Sequence, residues 1–221
     1  EIPVDETHQF HFAGAIPTIL KVNSSNCLHS SGTAPHQATT ASVKDAVKLG
    51  CSAIGFTIYP GSDAAFEMIE EAKEMIEEAK SYGLAAVVWS YPRGGDLSKM
   101  GETAFDICAY GAHMAALIGA HIIKVKPPTP ALENLDAIKV YDKQNISAES
   151  LAIRVKHIVE CCFKGKRLVV FSGGGAKGED ELYKEIKQIH KGGANGSIIG
   201  RNTFQRPRKD ALKMLENIIK I

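Results

Sequence analysis

Residues Arg167–Arg201 read RLVVFSGGGAKGEDELYKEIKQIHKGGANGSIIGR. A short β-branched run, Arg167–Ser172 (RLVVFS), passes into glycines. A segment with helical spacing follows over Glu179–Lys191, and then a second short run, Ser197–Arg201 (SIIGR). Strand, helix and strand in that order predict a parallel crossover. Gly173 and Gly174 follow the first run directly, and Gly200-Arg201 ends the second. In a (β/α) barrel the loops after the last two strands build a phosphate site from backbone N–H groups at these places. A glycine run also reads as a flexible turn, and the feature alone leaves both readings open.

The same alternation extends toward the front of the chain. Further short runs lie at Thr18–Asn23 (TILKVN), Ala53–Tyr59 (AIGFTIY), Leu84–Tyr91 (LAAVVWSY) and His121–Lys126 (HIIKVK). Each is bounded by glycine, proline or polar residues, as buried parallel strands are. Between them, Ser62–Ser81 carries Phe66, Ile69, Ala72, Ile76 and Ala79 at helical spacing, with Glu and Lys opposite. Thr103–Ile118, Ser147–Cys162, Arg208–Ile219 and the shorter Thr40–Leu49 read likewise. A doubly wound sheet and a (β/α) barrel would both produce this alternation. No G-x-G-x-x-G follows a first strand, which counts against a dinucleotide fold, and the final third favours the barrel. Pro127–Asn145, rich in proline, reads as a long connection where a barrel places an active-site loop or as a solvated excursion.

Composition narrows the function classes. Lys plus Arg number 26 against 25 acids in 221 residues, so nothing points to nucleic acid or an anionic membrane as partner. No apolar run approaches the roughly 20 residues of a membrane helix, and no signal peptide is legible. Cys27, Cys51, Cys108, Cys161 and Cys162 lack metal-type spacing and read as reduced packing residues of a cytoplasmic protein. The histidines show no ligand spacing, although His8, His11, His29 and His36 crowd the front. The expectation is therefore no metal and no cofactor.

Chemistry is most legible in two strands. A strand has period two, so Lys124 and Lys126 share a face while Ile123 and Val125 share the other. Two lysines inside a sheet are costly without a role. Burial lowers a lysine pKa, and a second ammonium lowers it further. A neutral amine is what attack on a carbonyl requires. The plainer reading puts both lysines at the exposed end of an edge strand. Trp89 and Tyr91 also share a face, followed by Pro92-Arg93-Gly94. They read as a substrate wall and a proton-transfer group or as ordinary aromatic core. Arg201 reads as a phosphate clamp or as a surface ion-pair partner.

Thr57-Ile-Tyr-Pro-Gly-Ser62, Val87-Val-Trp-Ser-Tyr-Pro-Arg-Gly94, Ile122-Ile-Lys-Val-Lys126, Ser172-Gly-Gly and Gly200-Arg-Asn202 occur in the order of a known family. From about Ile16 onward the chain resembles the archaeal-type, or DhnA-type, class I fructose-1,6-bisphosphate aldolases. The resemblance implies a TIM-type (β/α)8 barrel and metal-independent, reversible cleavage of fructose 1,6-bisphosphate to dihydroxyacetone phosphate and glyceraldehyde 3-phosphate. It implies Lys124 as the Schiff-base lysine and Tyr91 as the proton donor. Trp89, Arg93 and Lys126 then line the substrate site, and Ser172, Gly173, Gly174, Gly200 and Arg201 take the phosphate positions. A cytoplasmic homo-oligomer of glycolysis or gluconeogenesis, with a phosphosugar as its small-molecule partner, is implied too. Related Schiff-base enzymes, similar to aminodideoxyheptulosonate synthases or a thiolase acting on a signal phosphate, form the alternative. A non-catalytic phosphosugar-binding chain is a third reading.

The front departs from the family pattern. The family's first-strand Asp-x-Gly-x-Glu-His-Gly motif has no counterpart, and Asp5-Glu6-Thr7-His8 is too weak a match. The chain opens on Glu1 rather than Met. The residues before Ile16 are too few for two βα units of roughly 20–30 residues each. The expectation is one barrel domain over residues 1–221 that shows the last six strands of eight. An open wedge would then separate the Thr18–Asn23 and Ser197–Arg201 strands.

Overall fold

The computed structural model describes residues 14–26, 28, 34–172 and 178–221. In chain order the elements are β1 (Ile19–Lys21), β2 (Asn23–Ser24), β3 (Ala38–Thr39), α1 (Val43–Lys48), β4 (Ala53–Ile58), α2 (Ala65–Ser81), β5 (Ala85–Ser90) and α3 (Phe105–Leu117). They continue with β6 (Ile122–Val125), α4 (Leu135–Lys143), α5 (Leu151–Cys161), β7 (Leu168–Ser172), α6 (Glu179–Lys191), β8 (Gly196–Ile198), α7 (Arg201–Phe204) and α8 (Arg208–Ile219). His8, His11, Cys27, His29, Gly173 and Gly174 lie outside the described residues.

Six strands form one parallel sheet in the order β1-β4-β5-β6-β7-β8. Spatial order follows chain order without a reversal. A doubly wound sheet reverses direction at its switch point. Crossovers of one hand that always step the same way keep every helix on one face, as a barrel does. β1 and β8 are the edges of the sheet and do not pair with each other.

Period two explains the core. Ile54, Phe56, Ile58, Ala86, Val88, Ile123, Val125, Val169 and Phe171 point toward the helices and are almost wholly buried. They meet Met68, Ala72, Ile76 and Ala79 of α2, the alanine-rich face of α3, and Val155 and Ile158 of α5. Phe56 is 1% exposed at the centre of β4, and truncation there to Ala would cost about 3–5 kcal/mol. The opposite positions, Lys21, Gly55, Thr57, Trp89, Lys124, Val170 and Ser172, face the barrel axis and stand free of this helical layer.

Capping sets the helix starts. Ser42 and Asp45 form a reciprocal capping box on α1, and Ser150 accepts from the Ile153 N–H at the start of α5. Gly83, at φ 75°, carries the chain from α2 into β5.

Several expectations need correction. Phe66 is 79% exposed, and Ala65 and Met68 take its place on the buried face of α2. The Pro127–Asn145 connection contains α4, whose first N–H groups, on Asp136 and Ala137, donate to the Asn134 side chain. Asparagine capping an apolar i, i+3 pattern outweighs the prolines, which all lie before it. The TILKVN run breaks after Lys21, and Asn23–Ser24 turns away to pair antiparallel with Ala38–Thr39. β8 ends at Ile198, so Arg201 opens a short helix rather than closing a strand.

Cys51, Cys108, Cys161 and Cys162 are free, and Cys108 and Cys162 are buried. Among the described residues no helix is long and apolar enough to cross a membrane. Nor is any group of three or more His, Cys, Asp or Glu placed to hold a metal ion.

Candidate active site

The axis-facing residues of β5 and β6 carry the site. Trp89 and Lys124 are register partners, and Lys124 pairs on its other side with Val170 of β7. The Lys124 Nζ lies 6.0 Å from the Trp89 ring centroid and 5.9 Å from that of Tyr91. Tyr91 follows β5 directly and prolongs its ladder, its N–H donating to the Ile58 carbonyl at 3.1 Å. Tyr91 is therefore held as firmly as a strand residue while standing at the strand's C-terminal end.

Burial sets both ionisations. It draws the Lys124 amine down to about 8, because burial strips an ammonium of hydration and so disfavours the charged form. Burial pushes the Tyr91 phenol up to about 12, against a hydrogen bond with Ser172 and the charge of Arg93, which pull it down. At neutral pH the phenol keeps its proton, whereas about a tenth of the amine is free of its own.

The rim is cationic. Lys126 lies 6.0 Å from the Tyr91 ring, and the Arg93 guanidinium lies 5.8 Å from it and 5.4 Å from the Tyr59 ring. These are cation–π distances. Glu102, in a turn of 3-10 helix over Gly101–Thr103, gathers these cations. Its carboxylate lies 3.4 Å from Lys126, 2.9 Å from Lys99 and 4.0 Å from the Arg93 Nε. Burial pushes the Glu102 carboxyl up, but hydrogen bonds and charge from Lys99 and Lys126 outweigh it and hold the group below its ordinary value.

This pairing corrects one expectation. A second ammonium beside Lys124 should help to lower its pKa, yet Lys126 is paired with Glu102 and burial is the cause that acts on Lys124. The short Lys124–Lys126 spacing still matters, because it puts the lysine paired with Glu102 at the rim and the lysine flanked by Trp89 and Tyr91 deeper.

Lys21 and Asn23 enter from the sheet edge. The Lys21 Nζ lies 5.9 Å from the Trp89 ring and donates to Asn23 and to the Gln37 Oε1, the latter at 3.0 Å. The wholly buried Asn23 side chain accepts from the Thr57 N–H at 2.8 Å and donates to the Thr57 carbonyl at 2.9 Å. An amide side chain thus continues the β1–β4 ladder where the backbone has turned away.

Of the residues expected at the site, Lys124, Tyr91, Trp89, Arg93, Lys126 and Ser172 are brought together. Gly200 caps α7, and Arg201 is exposed in the first turn of that helix. Sequence reasoning missed Glu102, Lys21 and Asn23. Lys21 could have been found by the argument that found Lys124, since it too is a lysine within an apolar strand. Glu102 had no local signal: it lies in an irregular stretch and matters only through the lysines that fold beside it.

A family model described as DeoC/LacD family aldolase matches residues 4–206. The class 1 fructose-bisphosphate aldolase of Thermoproteus tenax is 36% identical over 204 residues, covering 92% of this chain and 66% of that protein. A fructose-bisphosphate aldolase/6-deoxy-5-ketofructose 1-phosphate synthase of Methanocaldococcus jannaschii is 33% identical over 213 residues, covering 93% of this chain and 61% of that protein. The chain thus spans just under two thirds of the length of these relatives. Among solved structures, an archaeal fructose-1,6-bisphosphate aldolase, its catalytic Lys bound to the carbinolamine intermediate, matches with TM-score 0.78 and 32% identity over 96% of this chain and 73% of its own. The likeness identifies the six-stranded parallel sheet as part of a (β/α)8 barrel.

Proposed function

The chain belongs to the DeoC/LacD family of aldolases, and from that premise we propose that it is a class I, Schiff-base enzyme cleaving fructose 1,6-bisphosphate reversibly into dihydroxyacetone phosphate and glyceraldehyde 3-phosphate. The observation that carries the reading is the Lys124 amine, drawn down by burial to about 8 and 5.9 Å from the Tyr91 ring. Relatives named as class 1 aldolases support the substrate. So does the rim of Arg93 and Lys126, whose charge suits a bisphosphate.

The reaction follows from these groups. The neutral Lys124 amine adds to the C2 carbonyl, and loss of water leaves a protonated imine. As the C4 hydroxyl passes its proton to water, the C3–C4 bond breaks and glyceraldehyde 3-phosphate departs. The electron pair of the broken bond passes into the imine, giving an enamine. Tyr91 is the proton donor of the cycle. Return of a proton to C3 and hydrolysis by water release dihydroxyacetone phosphate and restore the amine. Trp89 walls the pocket, Arg93 and Lys126 hold phosphate oxygens, and Ser172, Gly173, Gly174, Gly200 and Arg201 form the second phosphate site. The same reading takes the protein as a single barrel domain, cytoplasmic and homo-oligomeric, serving glycolysis or gluconeogenesis.

Borohydride reduction in the presence of fructose 1,6-bisphosphate, followed by peptide mapping, tests the reading. Label on Lys124 is expected. No label, or label on another lysine, overturns it. A second reading, a Schiff-base synthase that joins two carbonyl compounds, draws on the double name of the Methanocaldococcus jannaschii relative. Turnover that needs a second carbonyl compound, with none on fructose 1,6-bisphosphate alone, would favour it.

A further inference from the structure

Gly55 stands mid-strand in β4, where glycine weakens pairing and often marks a close approach. Its backbone does not demand glycine, since Gly55 is absent from the positive-φ residues. Packing does. A Cβ at this position would come within 2.6 Å of the Trp89 Cη2, closer still to its Cζ3, and within 3.2 Å of the Ile19 Cγ2. The indole therefore lies across β4 in the space a side chain would fill. Its ring is bordered by the Lys21 ammonium at 5.9 Å and the Lys124 amine at 6.0 Å. Lys21 is itself tethered by Asn23 and Gln37. The β4 backbone at Gly55 and these two cations thus border the ring.

We propose that Gly55 is a positioning residue for imine formation: by leaving a side-chain-sized notch in β4, it seats the Trp89 indole beside the Lys124 amine. The role rests on the reading of Lys124 as the nucleophile. Any side chain at position 55 lifts the indole off the strand into the space where the amine must meet a carbonyl. Glycine here is set by the ring it accommodates, two strand positions and one strand away.

The test compares Gly55→Ala, Trp89→Phe and the double variant by their rates of borohydride trapping with fructose 1,6-bisphosphate. Misplacing a reacting group by ~1 Å can cost about 100-fold, so Gly55→Ala alone should slow trapping roughly 10- to 100-fold. With Phe at position 89, whose ring is smaller, the same change should cost little more, a non-additive cycle that marks direct coupling. Trp89 is the only tryptophan, so its emission should shift in Gly55→Ala while far-UV circular dichroism stays the same. Trapping at the unaltered rate in Gly55→Ala, or an equal fold-loss in both backgrounds, overturns the proposal. If Gly55→Ala alone fails to fold, folding and trapping by the double variant at the rate of Trp89→Phe support it, and failure of both overturns it. Peptide mapping separates the two readings. Label on Lys124 with no effect of Gly55→Ala sinks the positioning role alone, whereas label on another lysine sinks both.

Discussion

Trp89 and Lys124 are register partners on adjacent parallel strands, with the Lys124 Nζ 6.0 Å from the indole centre. Two residues beyond each, just past the strand ends, Lys126 again lies 6.0 Å from a ring centre, that of Tyr91. The repeat follows from the two-residue period of a pleated strand. It sorts the groups by depth: the deeper pair holds the shifted amine, and the outer lysine is the one bound to Glu102.

Lys124→Met should fold and lose borohydride trapping entirely, whereas Lys126→Met should keep it. In the unaltered protein the rate of imine formation should rise with pH up to about 8. At pH 7 about a tenth of an amine of pKa 8 is neutral, against roughly three in ten thousand at an ordinary lysine's value. Stability follows the same linkage. Between about 8 and the ordinary value of 10.5, the unfolded chain holds a proton that folded Lys124 has released, so stability rises with pH across that window. Thermal melts of Lys124→Met should lack this component, and an identical pH slope in both proteins would contradict the shift.

Tyr91→Phe should still form the imine but cleave the carbon–carbon bond about 10²–10⁴-fold more slowly, the usual contribution of a proton-transfer group. Because burial pushes the phenol up to about 12, no loss of rate from Tyr91 ionisation should appear below pH 10. Near-normal turnover in the Phe variant would return Tyr91 to a packing role.

Glu102→Gln should disturb the rim rather than the amine. Lys126 and Arg93 lose a shared carboxylate, itself 13% exposed. Its partners are partly in water, so a loss of about 1 kcal/mol is expected. The KM for a bisphosphate should change more than the rate of imine formation, as stopped-flow and steady-state kinetics would reveal. An unchanged melting temperature together with unchanged KM would show that the cluster is incidental.

Arg201→Ala should raise KM strongly for fructose 1,6-bisphosphate and much less for an unphosphorylated ketose. Arg201 lies exposed at the start of α7, within reach of solvent-borne anions. Equal effects on both substrates would argue against a phosphate clamp.

Sequence by itself determined the strand–helix alternation and the faces of the strands, because both follow from local periodicity. Lys124 opposite Ile123, and Trp89 in step with Tyr91, are properties of a pleat. The motifs TIYPGS and WSYPRG together were likewise specific enough to show which family the chain resembles. Where periodicity was shared by neighbours it misled: Phe66 and Met68 both suit an apolar stripe, and only the packing of α2 on the sheet buries Met68. Tertiary structure alone decided that strand order runs without reversal, since crossover direction leaves no mark on composition. It alone brought Glu102, from an irregular turn, onto Lys126, and so removed that lysine as a cause of the Lys124 shift. It alone gave Gly55 a meaning, because a glycine in an apolar strand is silent until the ring that lies over it is placed by a residue 34 positions away.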